Sequence, residues 1–318
     1  MAYLQINHNL TILAFMKIFT HETVYEIYEI LKEEIALIDF NEIVYFDIIN
    51  PDMKEEISFY IPFKGYKAVT NLAEILLCTM TTPLILENHK VRIGFKKLNT
   101  TNSFHASLEN SSEKYGKDSL FATINKNAEP TFVVPYIHAL KLARAEKKTR
   151  ILNLGINSGD EFAVIEEVFN TIDTIEFVGI DYCQSAIEKA QERFKDKENF
   201  KFYAHDINTL EELNLGTFDL IISIGTLQSS NLDFKLTFMN LIQNYLDKKG
   251  SLILGFPNCR WCDNEMIYGA KMPNYSFSEM TLLFKDVYFC KKYLQQKKFK
   301  VTLTGKEYVF LTANSLRN

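Results

Sequence analysis

The chain lacks a disulfide framework: its five cysteines, Cys78, Cys183, Cys259, Cys262 and Cys290, are scattered and odd in number. A reducing compartment is therefore the simpler assumption. It also lacks an apolar run long enough to span a bilayer. Leu10–Phe19 is too short, contains Lys17, and has neither a basic leader nor a small-residue cleavage site, so it reads as a strand. These absences place the protein in the cytoplasm with no membrane partner. Positive charge is not in excess either. Lys and Arg number 35 against 40 Asp and Glu, for a net charge of −5 and a pI near 5.8. That balance gives no bulk attraction to nucleic acid, so DNA is not expected as a partner. What remains is ordinary, with 47% hydrophobic and 24% charged residues over 318 positions, enough for two domains with separate cores.

Local order is densest in Arg150–Glu161, RILNLGINSGDE, where an apolar strand meets a glycine turn and then a helix that opens on acids. Gly155 suits a tight turn where a β-carbon would clash, and Gly159 lets the helix start close to a ligand. Further strands follow at workable spacing. Phe177–Asp181 ends on a carboxylate 22 residues beyond Gly159, and Phe202–Asp206 ends on another. A carboxylate about 20 residues past a glycine turn falls at the tip of the neighbouring strand, where it can accept hydrogen bonds from ribose hydroxyls. Thr217–Gly225 and Gly250–Asn258 supply a fourth and a fifth strand. Lys300–Thr312 reads as two strands about a glycine turn.

With these motifs, residues from about 130 to 313 resemble the class I S-adenosylmethionine-dependent methyltransferases. In that family the first motif reads acidic-x-Gly-x-Gly-x-Gly and the second and third strands end in acids. The resemblance implies a Rossmann-like, mostly parallel α/β sheet closed by an antiparallel C-terminal hairpin, with S-adenosyl-L-methionine as cofactor. It implies that Gly155 and Gly159 line the methionine and ribose, that Asp181 and its neighbour Tyr182 meet the ribose, and that Asp206 and Ile207 meet the adenine edge. Ser223, at the end of the fourth strand, joins this set. Asn153 stands where the family has an acid and Asn157 where it has the middle glycine; both keep hydrogen-bonding ability. A nicotinamide or flavin dinucleotide is the rival ligand. Asp160 and Glu161 would repel its pyrophosphate at the helix start, whereas they suit a sulfonium and an ammonium, and the third glycine of the dinucleotide fingerprint is missing.

Methyl transfer is an in-line displacement that depends mainly on positioning. In a doubly wound sheet the acceptor belongs beyond the carboxyl ends of the strands. After the fourth strand comes Ser223–Ser230, which lacks the Asp/Asn-Pro-Pro-aromatic motif that family members acting on base amines carry; Ser223 and Thr226 bind substrate there or satisfy the loop backbone. After the fifth comes Phe256–Asp263 and then Glu265–Lys271. Trp261 offers a stacking face, Arg260 a fork for an anion, and Asp263, Glu265 or Tyr268 a catalytic group, unless Trp261 packs under the loop and Arg260 pairs with Asp263. One Cys-x-x-Cys, Cys259 and Cys262, has no second pair or histidine at ligand spacing, so no metal is expected. His138 reads as a packing or capping residue, and Lys291, Lys292, Lys297, Lys298 and Lys300 as a solvated face that can touch RNA phosphate.

The first hundred residues have their own pattern: strand Leu10–Phe19, helix His21–Leu37, strands Ile43–Ile49 and Ile57–Pro62, helix Tyr66–Thr81, strand Lys90–Lys97. This is a ferredoxin-like order. From Ile57 to Gly94 it resembles the second half of a diguanylate-cyclase-type domain without the Gly-Gly-acidic-Glu-Phe signature. Polar residues from about Lys97 to Glu129 mark a connector, of which Tyr115–Pro130 can fold over the cofactor cleft as a lid. Pro135 fits the first turn of a helix reaching about Lys147.

The expected organisation is a ferredoxin-like α/β domain at 1–98, a linker or lid at 99–129, and a methyltransferase domain at 130–318. The expected activity is methyl transfer to an unidentified acceptor, with a small molecule or protein favoured and RNA left open. The N-terminal domain would bind substrate, a partner or a second copy, making a homo-oligomer. The alternative is a non-catalytic adenosyl-ligand-binding signalling module behind a degenerate cyclase-like domain.

Overall fold

A computed structural model of the chain describes residues 17–53, 60–102, 115–116, 118–170, 172–229, 231–270, 275 and 278–317. It divides into two compact units, Met1–Asn102 and Ser103–Asn318.

In the first unit, β1 (Lys17–Ile18), β2 (Ile43–Ile49), β3 (Cys78–Met80), β4 (Leu84–Ile85) and β5 (Lys90–Lys97) form one sheet, ordered β1-β2-β5-β3 with β4 also on β5. Helix α1 (Val24–Leu37) starts at a capping box, in which Thr23 accepts from the Glu26 backbone and Glu26 reaches back, satisfying two otherwise open donors. It buries Ile27, Leu31 and Ile35, spaced at i, i+4, i+8, against Phe46, Ile48 and Phe95. Two expectations are corrected. Helix α2 (Tyr66–Ile75) stops short of Thr81 because Leu77 turns left-handed at φ 55°, and Cys78–Met80 leaves as strand β3. A ferredoxin-like sheet would separate the first two strands, yet β1 lies parallel and directly beside β2. The expected strand Leu10–Phe19 lies mostly, and Ile57–Pro62 half, outside the described residues, and Tyr60–Pro62 forms no strand.

The second unit carries a seven-stranded sheet of β6 (Arg150–Leu154), β7 (Glu176–Asp181), β8 (Phe200–Ala204), β9 (Phe218–Ile224), β10 (Leu246–Pro257), β13 (Phe299–Thr304) and β14 (Tyr308–Ser315). Its order is β13-β14-β10-β9-β6-β7-β8, parallel except for β14, which is antiparallel to both β10 and β13. The parallel strands read as almost unbroken apolar runs because helices cover both faces. Ile151 turns to a face packed by Phe132, Phe162 and Ile187, whereas Leu152 and Leu154 turn to one packed by Phe238, Val287 and Leu294. These residues come from α3 (Pro130–Ala143), α4 (Asp160–Val168) and α5 (Gln184–Arg193) on one side, and from α6 (Phe234–Asn240) and α7 (Thr281–Gln296) on the other. Helix α3 begins at Pro130, so Pro135 lies inside it rather than at its first turn, and it ends at Ala143 where Arg144 turns left-handed. Pro130 fills the N1 position, where its missing N–H costs nothing. Among the described residues no helix is long and apolar enough to cross a membrane.

A buried ion pair holds the small sheet across β2 and β5. Asp47, 4% exposed, accepts from Arg92 Nε at 2.9 Å and from Nη2 at 3.1 Å, as directly opposed partners in the ladder. Arg92→Ala would leave a buried carboxylate without its fork. It should cost about 2–3 kcal/mol, read as faster amide exchange confined to β2 and β5; unchanged protection there would show the pair to be dispensable.

Candidate functional site

Strand order reverses between β6 and β9, and ligand crevices in open α/β sheets form at the carboxyl ends of the strands at such a point. The glycine turn lies there. Gly155 has φ 76°, donates its N–H to Ile180 O at 2.8 Å, and faces Thr226, the second residue after β9. A β-carbon at Gly155 would lie 1.8 Å from Thr226 Oγ1, and one at Gly159 (φ 88°) 2.6 Å from Phe194. Both positions thus require glycine sterically as well as conformationally. Asn157 also turns left-handed, at φ 47°. Asparagine is among the few residues that enter this region readily, which accounts for an asparagine at the middle position of the motif.

Asp181 closes the turn from the neighbouring strand. Its carboxylate accepts the Asn157 N–H at 2.8 Å and the Cys183 N–H at 3.0 Å, one on each oxygen. The group is 9% exposed. Burial raises its pKa above the ordinary aspartate value, against the lowering effect of these N–H donors. Tyr182 beside it is exposed, at 57%. Asn153 is fully buried in β6 with both amide atoms unpartnered among the described residues. Ser223 is buried too, its hydroxyl donating to Leu154 O at 3.3 Å. At the end of β8, Asp206 caps the following turn by accepting from Asn208 N at 2.9 Å, and Ile207 is buried.

The acids that open α4 are both neutralised. Asp160 pairs with Arg193 at 2.8 Å, and Glu161, with no exposed side chain, pairs with Lys126 at 2.5 Å. The repulsion of a pyrophosphate expected from these acids is correspondingly weakened. Burial works against the Lys126 charge, but Glu161, Asp160 and Asp181 overcome it and leave the ammonium pKa raised. Lys126 belongs to the connector, which is therefore anchored on the motif. Asn127 Nδ2 donates to Asp160 O at 3.1 Å, and Asn157 Nδ2 donates to Tyr115 O at 2.8 Å. Residues 103–114 and 117 of the connector lie outside the described residues.

The segment after β10 is a hairpin rather than the expected loop. β11 (Cys259–Cys262) pairs with β12 (Glu265–Tyr268) across Asp263 and Asn264, both left-handed. Trp261 is 5% exposed and its indole N–H is given to the Tyr308 hydroxyl, leaving little ring for a ligand. Arg260 donates to Gly269 O at 2.8 Å, so part of the fork expected for an anion is spent on the hairpin's own backbone. Glu265 and Tyr268, at the two ends of β12, are both exposed, Tyr268 beneath the Lys306 ammonium at 4.9 Å. Asn264 accepts from Thr123 at 2.7 Å, which ties the hairpin tip to the connector. His138 is exposed on α3. Sequence reasoning passed over Lys126, Glu129 and Glu307, all brought here by long-range packing. The signal for Lys126 was only a lysine in a connector that already looked able to fold back.

A doubly wound sheet with its crevice at the reversal, a glycine turn there and an acid at the adjacent strand tip define a nucleotide-cofactor domain whose antiparallel β14–β13 edge sets it apart from simple dinucleotide folds. Residues 145–305 match the methyltransferase domain family. The chain belongs to that family, the class I S-adenosylmethionine-dependent methyltransferases. It is 27% identical over 143 residues to a carboxy-S-adenosyl-L-methionine synthase of Helicobacter pylori strain G27, a match covering 43% of this chain and 58% of that one. The chain thus spans little more than half the length of this curated relative. Among solved structures it is similar to the methyltransferase domain of bacterial CtHen1, at 13% identity and a TM-score of 0.44 over 60% of this chain and 100% of that one. It is also similar to a precorrin-6y C5,15-methyltransferase of Geobacter metallireducens, at 9% identity and a TM-score of 0.39 over 57% and 88%.

The Lys126–Glu161 pair gives a direct test of how the connector is held. Lys126→Met strands a fully buried carboxylate and should destabilise the second unit by about 3–5 kcal/mol, whereas adding Glu161→Gln should recover most of that loss. Chemical denaturation of the two single variants and the double measures the coupling. Additive losses would mean that the pair does not fasten the connector.

Proposed function

We propose that this chain binds S-adenosyl-L-methionine in the crevice above β6, β7 and β9 and transfers its methyl group to a separate acceptor. The observation that carries this reading is Asp181, a strand-tip carboxylate joined to the backbone of the glycine turn 24 residues earlier. Each carboxylate oxygen has a lone pair beyond the one given to the backbone, so Asp181 can take ribose hydroxyls while still bracing the turn. Gly155 and Gly159 let the turn close against Thr226 and Phe194, whose side chains take the space a β-carbon would need. The orphaned Oδ1 of Asn153 and the unpaired Oε2 of Glu161 suit the ammonium of a methionine end, each being an acceptor in want of a donor. Tyr182, Asp206 and Ile207 sit at the ends of β7 and β8, where an adenosyl group would lie, and Ser223 supports the floor of the crevice through Leu154. The bound cofactor supplies an electrophilic methyl on sulfonium; the protein's part is to aim the acceptor and exclude water.

The relatives named as carboxy-S-adenosyl-L-methionine synthases support an adenosyl-sulfonium ligand more than any one acceptor. The acceptor side, by this reading, lies between the β11–β12 hairpin and the connector, with Glu265, Tyr268, Asp263 and Arg260 at its rim. A small molecule or protein fits this acidic chain better than RNA.

Asp181→Asn keeps the shape of the brace but weakens its accepting power. Calorimetric affinity for S-adenosyl-L-methionine should fall by about 1–3 kcal/mol, and the unfolding midpoint should fall as well, because the NH2 that replaces one oxygen faces a backbone N–H. In the parent protein affinity should also decline as pH falls through the raised pKa of Asp181, because the protonated carboxyl gives up acceptor capacity. Undiminished binding by the variant would move the cofactor away from this crevice.

A further inference from the structure

Beside the proposed cofactor crevice lies a second polar group that the methyl donor does not use. Asn258 follows β10 directly, and Glu307 precedes β14; the Asn258 N–H donates to Glu307 O at 2.7 Å, and its Nδ2 donates to Lys306 O at 3.3 Å. Asn258 is 4% exposed and Glu307 6%. Yet Asn258 Oδ1 and Glu307 Oε2 are buried with no hydrogen-bond partner among the described residues. Their neighbours are satisfied. The Tyr308 hydroxyl accepts from the Trp261 indole and donates to Cys259 Sγ, and Glu307 Oε1 takes the exposed Lys306 ammonium at 2.5 Å. Both open atoms are acceptors, so what is missing is a donor. Leaving such atoms bare costs about 1–3 kcal/mol apiece, more for a charged group.

Acids outnumber bases around them. Glu129, the residue before α3, makes no side-chain cap to its own helix and lies within electrostatic reach of both Glu265 and Glu307. Three carboxylates thus share this region with the Lys306 ammonium. Among the described residues no acids group closely enough to ligate a metal ion. A chain of contacts links the group to the start of α4: Tyr308 packs edge-on against Phe132 at 4.9 Å, the Lys126 ammonium lies 5.6 Å from the Phe132 ring, and Lys126 holds Glu161.

We propose that Glu307, Asn258 and Glu129 form a binding site for an alkylammonium group, so that the methyl acceptor is an amine. This deepens the reading of the chain as a methyltransferase and rests on it. Two donors of an ammonium would meet Glu307 Oε2 and Asn258 Oδ1, and the third would face Glu129. An ammonium nitrogen has no lone pair to offer. One N–H bond must break, leaving its electron pair on nitrogen while the proton passes to a Glu129 carboxylate oxygen. Glu129 suits that task, since burial, and then the charges of Glu265 and Glu307, raise its pKa above the ordinary glutamate value.

The test measures binding apart from turnover. The full chain is titrated with butylamine, phenethylamine and spermidine, and with 2-phenylethanol and 3-phenylpropanoate as neutral and anionic counterparts, with and without S-adenosylhomocysteine, by calorimetry and ligand-observed magnetic resonance. At least one amine should bind at least tenfold more tightly than the alcohol and the acid. Glu307→Gln and Glu129→Gln should each weaken it by about ten- to a hundredfold. If Glu307→Gln does not fold, Glu129→Gln, at a half-buried helix start, carries the comparison. Equal affinity for amine and alcohol, no binding of any amine, or a Glu307→Gln variant that is more stable yet binds as before would overturn the proposal, the last by marking a site for water only. S-adenosylhomocysteine binding is read separately, so amine binding without it would sink the methyl-donor crevice and spare the ammonium site.

Discussion

One carboxylate sets the geometry on which the second unit's site depends. Asp181 takes N–H groups from two backbone segments, the left-handed turn at Asn157 and the start of the next helix at Cys183. Without that acceptor the bend would hold two inward N–H groups in a region 9% exposed, where unpaired donors are costly. The same contact fixes where β6 stops and α4 begins, and so how α4 meets Phe177 and Phe200 through Phe162. A raised pKa indicates that burial outweighs these donors, a group placed at some expense to stability. Such placement is characteristic of functional positions.

Much of this was legible in the chain. The strands β6, β7, β9 and β10 announced themselves as apolar runs closed by glycine, proline or an acid, and β2 and β5 fall where composition puts them. Period and turn chemistry are local, and local signals survive in sequence. What could not be read was pairing. That β1 lies beside β2 is decided by which apolar faces meet after the chain has looped, and a strand sequence carries no mark of its neighbour. Helix α2 was read too long for a related reason: Thr70 to Thr81 is helix-compatible in pattern, and the break at Leu77 depends on Cys78–Met80 finding β5.

The site divides along the same line. Gly155, Gly159, Asp181 and Asp206 lie at strand ends, where spacing alone locates them, and the structure gathers them at one edge of the sheet. On the acceptor side, spacing drew attention to Trp261 and Arg260 because they are rare residues near a cleft. Packing gave them other work, Trp261 to Tyr308 and Arg260 to a carbonyl, while Glu129 and Glu307, unremarkable in the chain, are the side chains left with capacity. Rarity in sequence marks large contact area, whereas availability for a ligand is a property of the folded neighbourhood.

That distinction also orders the charges. At the carboxyl edge of the sheet, Asp160 has Arg193 and Glu161 has Lys126, so these acids are spent on holding α5 and the connector in place. Asp181 has backbone N–H donors as its hydrogen-bond partners, with Lys126 acting on it only through its charge, and Glu129 and Glu265 face Glu307 with the Lys306 ammonium at the exposed rim. The acids with the least cationic compensation therefore form two groups, Asp181 and the Glu129–Glu307 region, and both Asp181 and Glu307 are withdrawn from solvent, so their fields are less screened than those of surface charges. An edge built this way favours cations in both places. A sulfonium donor and an ammonium acceptor would normally repel one another; separate acidic sites lower that repulsion, and removal of one proton abolishes it at the moment nitrogen must approach the methyl carbon.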